Sequence, residues 1–81
     1  MTNTHNTFTA TAPDGFIWTR KTKGQFSHAV LGFNPYLADW HIVGFRSTLA
    51  EAQKQAIKAS AGIGSWSPYN EVIIVETVEV K

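Results

Sequence analysis

Residues 47–64, Ser-Thr-Leu-Ala-Glu-Ala-Gln-Lys-Gln-Ala-Ile-Lys-Ala-Ser-Ala-Gly-Ile-Gly, decide the architecture of this chain. Thr48-Leu49-Ala50-Glu51 reads as a capping box, in which the Thr48 hydroxyl accepts from the Glu51 backbone N–H and the Glu51 carboxylate reaches back. The spacing predicts a helix over about 49–61. Leu49, Ala52, Ala56, Ala59 and Ile63 form one stripe, with Glu51, Lys54 and Lys58 opposite. A stripe made mostly of alanine lets the helix axis lie close to a sheet. Gly62 is placed to end the helix in a left-handed cap.

Strands flank this helix on both sides. After it, the 71–80 run EVIIVETVEV predicts one strand, with Ile73 and Val75 on one face and Val72, Ile74, Val78 and Val80 on the other. Before it, the 40–46 run WHIVGFR predicts another, and Gly44 inside it suggests a bulge or a close backbone approach. Further upstream, FIWTRK at 16–21 and FSHAVLGF at 26–33, separated by Lys23-Gly24, read as a hairpin. The expected order is β-β-β-α-β: an α+β fold whose antiparallel sheet carries one helix on one face. Residues 1–14 are Thr/Asn-rich and run into the turn-forming Pro13-Asp14-Gly15, so they read as a flexible polar arm before a single domain over 15–81.

Composition bounds the rest. In 81 residues the charged share is 16% and the aromatic share 12%, so the surface is neutral and some aromatic area is expected on it. With no cysteine, the core has to hold by packing or by oligomerising. The start has no basic segment or apolar run of the secretory kind, and nothing reaches a membrane-spanning length, so the expected setting is cytoplasmic, away from membranes. A net charge of +1 is far from the strong positive balance of a typical nucleic-acid binder.

One helix covers only two or three strands on one side of a sheet. Yet Ala29, Leu31 and Phe33 stand against Phe26 and Val30, and Trp40 and Ile42 against Val43 and Phe45, so both faces call for burial. The second face could be covered by the arm and the 62–70 loop, by a second copy in a homodimer, or by a foreign partner.

Chemical signatures are sparse. His5, His28 and His41 lack metal-ligand spacing, so no metal is expected. His28 and His41 lie on adjacent expected strands, where they could face one another. Ser27 and His28 are strand neighbours whose side chains point to opposite faces, which argues against a nucleophile–base pair. Asp39 and His41 share a parity with no nucleophile placed beside them. No cofactor is called for, and no catalytic residue is assigned. Gly62-x-Gly64 follows the helix, so it cannot present a helix N-terminus to a phosphate.

From Trp18 to about Lys58, the hairpin, the strand ending Val43-Gly44-Phe45 and the Ala-rich helix opened by Ser47-Thr48 resemble two related groups. These are the ethylene-response-factor type DNA-binding domain of plants and the arm-binding domains of tyrosine recombinases. That resemblance implies DNA docking through the sheet, at Trp18, Arg20, Lys21 and Arg46. In size and character the chain is also similar to phage-encoded inhibitors of host defence such as anti-CRISPR proteins, which implies a rigid surface with aromatic and arginine anchors. The expected function is a non-catalytic, protein-binding module of the inhibitor kind, anchored by Trp18, Arg20, Trp40, Arg46, Trp66 and Tyr69. The alternative is DNA or RNA binding through Trp18, Arg20, Lys21, Lys23 and Arg46.

Overall fold

The computed structural model describes residues 6–65 and 67–80. Along these run β1 (Asn6–Thr11), β2 (Ile17–Thr22), β3 (His28–Asn34), β4 (Asp39–Arg46), α1 (Leu49–Ala61), β5 (Glu71–Glu76) and β6 (Val78–Val80). The class is α+β, with antiparallel strands and the helix packed on β3, β4 and β5. Strand number and pairing depart from expectation: there are two three-stranded sheets, ordered β2-β1-β6 and β4-β3-β5.

The helix begins at the cap its sequence specifies. Thr48 is extended at φ −136°, and its hydroxyl accepts from the Glu51 N–H at 3.2 Å. The return half of the box is replaced by a local bond, since the Glu51 carboxylate accepts from the Ser47 hydroxyl at 3.4 Å. Ala52 and Ala59 are buried, while Leu49 and Ile63, the ends of the expected stripe, lie largely outside the packed zone. Gly62 is right-handed at φ −84°, not left-handed as expected. Its N–H bonds Ala59 O and the Ile63 N–H bonds Ser60 O, so the chain tightens for one further turn and the left-handed step falls at Gly64, φ +83°.

β3 is buried on both faces, and the bulge in β4 explains how. Val30 pairs with Gly44 and Leu31 with Ile42, which leaves Val43 as the extra residue. Simple alternation puts Phe45 opposite Ile42, but one extra residue reverses the parity and returns both to the face of Ala29 and Leu31. The other face, carrying Val30 and Gly44, receives the helix. A Cβ on Gly44 would come within 2.8 Å of the Gln55 amide, a measure of how close helix and sheet approach.

The second face is covered from within the chain. The expected hairpin of β2 with β3 does not form; β2 pairs with β1, in register from Asn6↔Thr22 to Thr11↔Ile17. Residues 6–11 of the expected arm are thus the central strand of a sheet, with Phe8 and Ala10 buried. Residues 1–5 lie outside the described residues. Pro13-Asp14-Gly15 closes this hairpin: Ala12 N–H bonds Phe16 O at 2.8 Å, the Asp14 carboxylate accepts from the Phe16 N–H, and Gly15 takes φ +92°. Ala10, Ala29 and Phe45 form the core between the sheets, flanked by Trp18, Phe26, Ile42 and Val75.

The expected last strand is two strands. At Thr77 the chain leaves β5, and β6 crosses to pair with β1 through Thr7↔Val80 and Thr9↔Val78. Thr77 holds the corner, its N–H and hydroxyl donating to the carbonyls of Ser27 and Phe26. No helix among the described residues is long and apolar enough to cross a membrane.

Candidate functional site: an aromatic cleft between two sheet edges

β4 and β2 are each the outer strand of their sheet, so along both the chain ends its hydrogen-bonded ladder. A cleft of about 330 Å³ opens between their beginnings. Phe16 and Trp18 line it from one sheet, Asp39, Trp40, His41 and Ile42 from the other, and Tyr69 from the loop before β5. The volume sits at the small end of ligand pockets, about 300–1,000 Å³, fit for a side chain or two.

Local structure sets each wall. The Ala12–Phe16 turn delivers Phe16 beside Trp18, ring centroids 4.8 Å apart and tilted by 58°. Trp18 stands opposite Ala10, so part of its ring covers the core and the rest faces the cleft. Trp40 packs edge-on against Phe33 at 5.3 Å. It follows a tight loop in which the Asn34 side-chain carbonyl accepts from the Tyr36 and Leu37 N–H groups and Ala38 adopts φ +53°. Tyr69 reaches the site because Gly32 has no side chain: its ring lies across that glycine and meets His41 edge-on at 6.2 Å.

Of the six expected anchors, the fold brings Trp18, Trp40 and Tyr69 together. Trp66 lies outside the described residues, as does His5. Arg20 stands apart, with its guanidinium carbon 5.8 Å from the Phe26 ring centroid. Arg46 is on the helix side, its Nε donating to Gln55 Oε1 at 3.0 Å. It borders a second, shallower depression of about 330 Å³ with Lys54, Lys58 and Glu51.

The expected basic hairpin surface is split as a consequence of the new pairing. Arg20 pairs with buried Phe8 and shares its inward parity, whereas Lys21 pairs with Thr7 on the outward face. Lys23 lies in the connection between the two sheets, and Arg46 belongs to the other sheet altogether.

Two histidine expectations also change. The Ser27 hydroxyl lies 2.8 Å from His28 Nδ1, because Ser27 precedes β3 and is free of the strand's alternation. This pair borders neither of the two clefts described. His28 and His41 do not face each other: the register sets them opposite Arg46 and Gly32. Among the described residues no cluster of three His, Asp or Glu is arranged to hold a metal ion.

The chain matches no protein-family model, no curated protein and no solved structure. The cleft itself therefore carries the functional reading. Phe16, Asp39, His41 and Ile42 are wall residues that sequence reasoning did not select as anchors. Asp39 and His41 had a signal in their shared parity; Phe16 had none, since its place depends on which strand β2 joins.

Proposed function

We propose that this protein is a non-catalytic protein-binding module that holds a segment of a partner protein in the aromatic cleft between β2 and β4. The supporting observation is the coincidence of two docking elements: exposed strand edges, which can accept an added strand, and a concave aromatic pocket beside them. Tryptophan and tyrosine at the centre of such a pocket are the residue types that concentrate interface energy. The sheet face offered by the sequence is already occupied, so docking moves from the face to the rim. An inhibitor works in this way when the captured segment is one its partner needs, and that is the form in which the likeness to phage anti-defence proteins enters the proposal.

The test is selection of extended peptides from a yeast-displayed library, followed by amide chemical-shift mapping. Selected peptides are expected to shift the amides of residues 39–42, and to lose at least about tenfold in affinity on Trp40→Ala. Lys54→Ala and Lys58→Ala, on the helix side, should leave binding unchanged. Peptides that map to the helix side overturn the reading. So does binding of nucleic acid that falls steeply with salt, which would favour the cationic residues instead.

A further inference from the structure

The cleft lining combines aromatic rings with a carboxylate. Four aromatic rings, Phe16, Trp18, Trp40 and Tyr69, share it with one carboxylate, Asp39, and the His41 imidazole, and among the described residues no lysine or arginine lines it. An aromatic face carries the negative side of the ring quadrupole and attracts a cation held over it. Phe16, tilted by 58° against Trp18, is 59% exposed, so ring surface on this wall is open to a ligand. The protein already uses this attraction internally, where Arg20 sits over Phe26.

We propose that the cleft takes an arginine side chain of the partner segment, an assignment that rests on the protein-binding reading above. Arginine fits the combination better than lysine. Its planar guanidinium stacks on an aromatic face while its N–H groups donate in the plane, here toward the Asp39 carboxylate at the rim. Aromatic walls without the acid would suit any apolar side chain, and the acid without the walls would be a surface charge of little consequence. The two together select a flat cation. Backbone pairing along the β4 edge would position the segment, and the arginine would set which segment is accepted.

The test uses n-butylguanidinium against n-butylurea, two probes of nearly the same shape that differ in charge, added to the full chain. Proton–nitrogen spectra resolve the indole N–H resonances, which Trp→Phe variants assign. Butylguanidinium is expected to shift the Trp18 and Trp40 resonances in a saturable way, and butylurea to leave them in place at the same concentration. Asp39→Asn should weaken the response about two- to fivefold, and Trp40→Ala should abolish the Trp18 shift. An equal response to both probes, or a response to neither, overturns the arginine assignment. If either occurs while displayed peptides still map to residues 39–42, the protein-binding reading survives without it; if the peptides also fail to map there, both fall.

Discussion

Gly32 links the core to the cleft. A Cβ there would lie 2.5 Å from Tyr69 Cγ and 2.6–2.7 Å from its Cδ atoms, against the root of a ring that cannot move unless its loop moves. Gly44 is the useful contrast, because the atoms a Cβ would meet there belong to the terminal amide of Gln55, a flexible tip. Gly32→Ala is therefore expected to lower stability by about 1–3 kcal/mol and to displace Tyr69 from the cleft. Gly44→Ala should cost less, chiefly by disturbing the Arg46–Gln55 bond. Urea denaturation of the two variants ranks them, and equal costs would mean that the Tyr69 loop yields as easily as the Gln55 tip. Gly44 was legible in the sequence as the mark of a bulge or a close backbone approach, since it interrupts an apolar strand; the bulge falls beside it at Val43 and the close approach at Gly44 itself. Gly32 was not, because only the tyrosine above it makes its missing side chain matter.

At the scale of elements, β1 separates an arm from a strand. Phe8 and Ala10 are buried between neighbours β2 and β6, so β1 holds its sheet together. Phe8→Ala is expected to cost about 3–5 kcal/mol, enough to endanger a domain of this size. A flexible arm would instead show no change in thermal melting. The strand was hidden because Asn6–Thr11 has only two apolar residues among threonines, and its polarity resembles that of an unstructured tract. The alternation of Thr7, Phe8, Thr9, Ala10 and Thr11 was nevertheless present, with Phe8 and Ala10 as the inward set. The helix shows the opposite case: Thr48 and the alanine stripe are local signals, and the element they specify spans Leu49–Ala61 as expected.

For the whole molecule, the second sheet changes what remains for self-association. The reason to expect a homodimer was an apolar face of β3, β4 and β5 left without cover, and β1 and β2 supply that cover. Light scattering behind a sizing column is expected to report the mass of a single chain. A stable dimer that dissociates on Trp40→Ala would show instead that the cleft is filled by a second copy. Bringing the edges of two sheets side by side also creates the cleft, which neither sheet contains alone.

By itself the sequence determined the signals that act within a few residues: the helix and its N-cap, the apolar runs of β3, β4 and β5, the irregularity marked by Gly44 and the turn at Pro13-Asp14-Gly15. Only the tertiary structure decided that β2 joins β1, that the chain changes sheet at Thr77, and that Phe16 and Trp18 come to face Trp40 and Tyr69. The physical reason is that a strand's alternation specifies which side chains go inward but not which backbone pairs with it. Any free strand edge offers the same N–H and C=O groups, so pairing is chosen by the fit of the whole core. Here that fit is set by Ala10 closing over Ala29 and Phe45, with Phe8 packed against Phe26.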